Sequence, residues 1–199
     1  MSTLDFSKPV SFSIVSAMLE SKEFTQLALS QNLKVSLGQV NKIVKYFQQK
    51  GSIEKGKNSY FIRDALAIIS EIAAYRTMDN SLIARFKLSI EPKSVMDMLK
   101  QNSIFCLDTA LSYYCANVRT KRICAYLTEK DTNLIEKLTA MPGNKTDLCL
   151  YSIDLPLDFV SDSDYRYADK VRTVIDLVCD NSAFAAACLF QEIWGQKIL

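Results

Sequence analysis

Between residues 36 and 49 the apolar residues Leu37, Val40, Ile43, Val44 and Phe47 return every third or fourth position. That spacing lines up one face of a helix. The opposite face then carries Gly38, Gln39, Lys42, Lys45, Tyr46 and Gln49, with Asn41 at its edge. Ser36 and Gln39 have the Ser-x-x-Gln spacing of a capping box, which satisfies otherwise unpaired amides and fixes where the helix begins. Upstream, Val10, Ile14, Val15, Met18 and Leu19 form an apolar stripe behind Pro9 and predict a helix over residues 10–20. A short helix over residues 23–30 turns Phe24, Leu27 and Ala28 inward, and Asn32 suits a tight turn before Leu33 plugs the core. Gly51 closes the long helix. Residues 52–54 and 60–62 then flank a Lys55-Gly56-Lys57-Asn58-Ser59 turn, a β-hairpin signal. Three helices and a hairpin with lysines at its tip predict a winged helix-turn-helix over residues 1–64.

Beyond it the period changes repeatedly. Residues 64–77 read as a helix with Leu66, Ile69 and Ala73 on one stripe and Ile68, Ile72 and Tyr75 beside it, too wide an apolar face for a solvated linker. Phe86, Leu88 and Ile90 alternate as in a strand, so residues 65–90 read as a connecting helix and strand and a candidate dimer contact. From residue 91 to 199 helices (91–102, 108–114, 128–140, 167–179, 183–194) mix with strand-like runs (104–107, 122–127, 148–153). The fold class is therefore α+β, a winged helix-turn-helix followed by a mixed α/β domain.

Charge separates the two parts. Residues 1–65 hold nine Lys and Arg against five Asp and Glu, whereas the remainder holds fifteen against seventeen, so the net +2 conceals a positive N-terminal module. A basic module with a hairpin beside an amphipathic helix points to double-stranded DNA, with Ser36, Gln39, Asn41, Lys42, Lys45, Tyr46 and Gln49 on the helix and Lys55, Lys57 and Asn58 on the hairpin as contact residues. DNA readers of this build commonly work as dimers on two half-sites, and a homodimer is expected. No run approaches a membrane span and residues 1–9 lack a signal-peptide pattern, so the expected compartment is the cytoplasm. Cys106, Cys115, Cys124, Cys149, Cys179 and Cys188 show no Cys-x-x-Cys spacing and are expected as buried free thiols, with an intracellular disulfide the alternative.

Catalytic chemistry finds few residues to use. The chain has no histidine, which excludes histidine triads and histidine-ligated metals, and its five glycines form no phosphate cradle. Asp162-Ser163-Asp164, with Asp158 nearby, has the Asp-x-Asp spacing that holds magnesium in nucleotidyl transfer, but it lies in a Ser/Asp-rich stretch that reads as a solvated loop. Asp176 reads as a capping or pairing residue within an apolar helix. Arg119, Lys121 and Arg122 form a small basic group that reads as a solvated turn. No catalytic residue, cofactor or metal is assigned.

Thr109-Ala110-Leu111-Ser112-Tyr113-Tyr114 resembles the A-L-x-x-[HY] helix of AbiEi-type antitoxin regulators. Residues 168–177 with the alanine-rich 183–189 resemble that family's Q-T-x-x-D-L … A-A-x-x-L ending, with Arg172-Thr173 in place of Gln-Thr and Cys115 where a glycine commonly follows the first helix. The resemblance implies a repressor of its own type IV toxin-antitoxin operon, paired with a nucleotidyltransferase-type toxin. It also implies a C-terminal domain of nucleotidyltransferase-like shape without that activity. Two other readings stand beside it: a metal-dependent nucleotidyltransferase using Asp162 and Asp164, and a winged-helix adaptor that binds protein.

Overall fold

The computed structural model describes residues 4–118, 120, 122–129 and 132–198. The chain forms two compact units, one of residues 4–76 with residues 190–198, the other of residues 77–189. The first unit thus extends past residue 64 and recovers the C-terminal segment, because the helix after the hairpin and the last residues share its core.

In the first unit, α1 (Pro9–Ser21) starts on Pro9 and buries Phe12, Ile14, Val15, Met18 and Leu19. Val10, expected in that stripe, is exposed. The expected helix over residues 23–30 is displaced. Glu23–Phe24 is a strand, β1, and α2 (Gln26–Leu33) begins only after Thr25, whose hydroxyl accepts the Ala28 amide. The later start rotates the inward face, so Leu29 is buried while Leu27 (57% exposed) and Ala28 point out. Asn32 stays helical and Leu33 is half-buried. Lys34 adopts the left-handed conformation instead (φ 53°) and reverses the chain.

Helix α3 (Leu37–Gln49) opens on the Ser36–Gln39 capping box and buries Val40, Ile43, Val44 and Phe47. Leu37, placed on that face by its period, is 48% exposed because the first turn overhangs the core. Gly51 (φ 75°) takes the left-handed position beyond the helix. Strands β2 (Ile53–Lys55) and β3 (Tyr60–Ile62) pair antiparallel, and β1 joins the free edge of β3, giving the order β1-β3-β2. Helix α4 (Ala65–Ala73), capped by Asp64, buries Ala65, Ile68, Ile69 and Ile72 and ends four residues before its expected limit. The C-terminal segment closes this unit. Phe190 is buried, the Trp194 indole donates to the Leu19 carbonyl (3.0 Å), and Gln196 bonds Ala65 and Arg63.

The second unit is built on a mixed sheet of order β4-β7-β6-β5-β9-β8. Its strands are β4 (Leu82–Leu88), β5 (Ser103–Phe105), β6 (Arg122–Leu127), β7 (Thr146–Ser152), β8 (Phe159–Asp162) and β9 (Tyr165–Ala168). The β6–β7 and β5–β9 pairs are parallel and the others antiparallel. Leu148 and Leu150 of β7 and Ile123, Ala125 and Leu127 of β6 form a core with α5 (Pro92–Leu99) and with α7 (Thr132–Thr139). Helix α6 (Leu107–Tyr114) follows β5, and α8 (Lys170–Cys179) meets the other face through Tyr126. With both faces covered, β6 and β7 are buried at nearly every position rather than at alternate ones.

Three further expectations are corrected. Residues 163–164 are the exposed turn of a β8–β9 hairpin, and α8 starts at Lys170 rather than residue 167 because residues 165–168 pair as a strand. The α5 helix stops at Leu99, short of residue 102. Of the six cysteines, Cys115 and Cys188 form a disulfide (Cα–Cα 6.8 Å), linking the end of α6 to α9 (Ala187–Trp194). Cys106, Cys124, Cys149 and Cys179 remain buried thiols.

Candidate nucleic-acid interface

The outward side of α3 is set by what its inward side buries. With Val40, Ile43, Val44 and Phe47 in the core, Gly38, Lys42, Lys45 and Gln49 emerge at intervals of four, three and four residues. They form one exposed stripe. Gly38 leaves it open near its start, since nothing lies within 4 Å of where a Cβ would be. The capping box holds the N-terminal end still. The Ser36 hydroxyl accepts the Gln39 amide (3.3 Å), and the Ser36 amide donates to Gln39 Oε1 (3.2 Å). Ser36 and Gln39 are exposed, but their side chains are committed to the cap.

Two residues assigned to contact are tied down. Asn41 is half-buried and accepts from Gln26 Nε2 (3.3 Å), which also reaches the Tyr60 hydroxyl. Tyr46 donates its hydroxyl to Glu71 Oε2 (2.5 Å), packs its ring against Phe6, and lies under the Lys50 ammonium, which pairs with the same Glu71. Burial, followed by the bond to Glu71, raises the Tyr46 phenol above its ordinary value. Burial also works against the charged form of Glu71, but hydrogen bonds from Lys50 and Tyr46 outweigh it and lower the carboxyl. Tyr46 therefore braces α3 against α4, and Lys42, Lys45 and Gln49 are the projecting side chains.

The hairpin places a second basic group near the other end of α3. The Ser52 amide donates to the Phe47 carbonyl (3.0 Å), so the strand leaves directly from the helix end. Lys55 closes β2, while Lys57 and Asn58 sit in the turn, and all three are exposed. Lys45, Lys55 and Lys57 have no ion-pair partner among the described residues. The Gly56 amide donates to the Ser59 carbonyl (2.8 Å), and a Cβ at Gly56 would strike the Phe61 ring, so the turn is shaped for glycine.

In the second unit, Asp162 and Asp164 stand at the exposed hairpin turn, Asp164 paired with Lys100 (3.7 Å). The described residues hold no group of three Cys, Asp or Glu able to bind a metal ion. Asp176 is fully buried and accepts from Arg172 Nε (2.9 Å) and from the Tyr126 hydroxyl (2.9 Å). Arg172 also donates to Tyr126, Asp154 and the Pro156 carbonyl. Arg122 is drawn into pairs with Asp108 and Asp180 rather than left in a solvated turn; Arg119 and Lys121 lie outside the described residues.

One constellation was not foreseen, because it exists only through strand register. Arg85 of β4 lies opposite Cys149 of β7, which lies opposite Cys124 of β6. The neighbouring row reads Lys87, Asp147, Arg122. A groove of about 460 Å³ opens over these rows, lined by Arg85, Lys87, Arg122, Asp147 and Cys149 among others.

No protein-family model matches the chain, and no curated protein or solved structure gives a significant match. Among the described residues no helix is long and apolar enough to cross a membrane.

Proposed function

We propose that the chain is a DNA-binding transcriptional regulator whose first unit is a winged helix-turn-helix. The observation that carries this reading is the stripe of Lys42, Lys45 and Gln49 on a capped and braced helix, with the lysine-bearing hairpin leaving from that helix's end. A helix is narrow enough for the major groove of B-DNA, and lysines on either side of the contact supply the phosphate attraction that dominates affinity. Gln49 is suited to base edges, Lys42 and Lys45 to the groove and its phosphates, and Lys55, Lys57 and Asn58 to the backbone beside it, while Ser36 and Gln39 fix the start of the helix. Tyr46 and Asn41 enter as residues that hold the helix in place. A homodimer would present two such helices to two half-sites.

The resemblance of residues 109–114 and 168–189 to AbiEi-type antitoxin regulators extends this reading to an autorepressor of a toxin-antitoxin operon, with a nucleotidyltransferase-type toxin as functional partner and a second unit of nucleotidyltransferase-like shape. Thr173 bonds back to the Asp169 carbonyl and Arg172 pairs with Asp176, so the Arg-Thr-x-x-Asp run holds α8 together.

Replacing Lys42 and Lys45 together by alanine is expected to weaken duplex binding and to reduce the slope of log affinity against log salt by about two, roughly one unit per lost phosphate contact. Gel-shift titrations of the folded variant at several salt concentrations read both quantities. An unchanged affinity and slope would remove α3 from the interface. The adaptor reading draws on the exposed Leu27 and Leu37 at the start of α2 and α3. It predicts no duplex affinity at any salt concentration and loss of a protein partner when both leucines become serine.

A further inference from the structure

We propose that Cys149 and Cys124 form a peroxide-responsive dithiol on the second unit's sheet, with Cys149 the attacking and Cys124 the resolving residue. The two thiols are directly opposite one another on adjacent parallel strands. Neighbouring strands run about 4.8 Å apart, inside the range of about 4.4–6.8 Å over which a disulfide spans two Cα atoms. Only one of the pair faces the groove. Cys149 is 7% exposed and lines the opening of about 460 Å³, while Cys124 is fully buried behind it. Access thus assigns the order of the two steps.

The surroundings favour a thiolate at Cys149. The hydrogen bond from Cys124 is the largest influence, burial opposes it, and the Tyr151 hydroxyl with the charges of Arg122 and Arg85 adds to it, bringing Cys149 down to about 6. The same bond and full burial push Cys124 up, which keeps it protonated until its partner is oxidised. The other groups around the pair are Cys106 at the head of α6, Lys87 and Asp147 in the adjoining row, and Asp180, which engages Arg122.

The chemistry balances with hydrogen peroxide as oxidant. The Cys149 thiolate attacks one peroxide oxygen, the O–O bond breaks, and the departing hydroxide takes a proton to leave as water. This first step gives a sulfenic acid at Cys149. Cys124 then gives up its proton and attacks the Cys149 sulfur. The S–O bond breaks, water leaves, and the S–S bond forms. Two thiols lose two electrons in all, and the peroxide is reduced to two waters. A dithiol reductant reverses the change.

The test treats the full chain with one equivalent of hydrogen peroxide at neutral pH, then alkylates, digests and maps the linkages by mass spectrometry. The expected result is a new Cys124–Cys149 linkage, with Cys106 and Cys179 still alkylated. Cys149→Ser should slow peroxide consumption at least tenfold, and Cys124→Ala should leave a sulfenic acid at Cys149 that a 1,3-dicarbonyl reagent traps. Independently of any variant, the alkylation rate of Cys149 in the unaltered chain should have its midpoint near pH 6, against about 8.5 for an ordinary thiol. A midpoint at 8 or above, a different cysteine linked first, or oxidation spread evenly over the four thiols would each overturn the proposal. None of these readouts depends on DNA binding.

Discussion

Arg172 is 1% exposed and Asp176 is fully buried, so the pair carries two charges into the interior of the second unit. Neither charge is left without partners: Tyr126 bonds both, and Asp154 and the Pro156 carbonyl accept two further guanidinium hydrogens. Such a network costs desolvation to build, and it penalises the loss of one member more than the loss of both. Arg172→Met is therefore expected to destabilise the second unit by about 3–5 kcal/mol, because Asp176 is left as an uncompensated buried charge. The double change Arg172→Met with Asp176→Leu should recover most of that loss. Urea unfolding followed by a probe in the second unit, such as Tyr126 or Tyr151 fluorescence, measures both. An equal loss in the single and double variants would mean that packing, not charge, sets the cost.

At the scale of elements, Phe190 ties the last helix into the first unit, where it is buried and packs its ring against Trp194 (4.9 Å). Phe190→Ala should cost the first unit about 3–5 kcal/mol, a value set by lost burial plus the cavity left behind. Thermal unfolding reported by Trp194 would read it, and no shift would place the segment outside the cooperative unit. Elements whose periodicity and caps coincide were legible in the sequence, above all α3, where Ser36 and Gln39 fix the start and Gly51 follows the end. The start of α2 was not, because Glu23 and Phe24 are claimed by pairing with Phe61 and Tyr60, thirty-odd residues away. The β8–β9 hairpin was missed for a related reason. Its Ser/Asp turn masked the two-residue alternation of Tyr165 and Tyr167, both of which turn toward Phe105. The groups that would do chemistry were less legible still. Tyr46 reads as a groove residue until Glu71 is seen to hold its hydroxyl, and the Arg85–Cys149–Cys124 row appears only when three strands are set in register.

Taken whole, the chain keeps its positive surplus in residues 1–65 and its deep polar network and free thiols in residues 77–189. The first of these two bodies is discontinuous in sequence: 113 residues of the second lie between Arg76 and Phe190. The bond from Trp194 to Leu19 spans a separation of 175 residues. This has a consequence in time. A ribosome makes all of α1 to α4 early but cannot supply the segment that closes their core until the rest of the chain has passed, an interval on the order of ten seconds at ordinary elongation rates. Nascent chains arrested before residue 190 should expose a protease-sensitive first unit, and complete chains a protected one, a contrast that limited proteolysis of stalled ribosome complexes would reveal. The surface proposed to meet DNA would then become firm only after the segment from residue 190 onward has left the ribosome, so a copy arrested earlier would be a poor competitor for a folded copy's site.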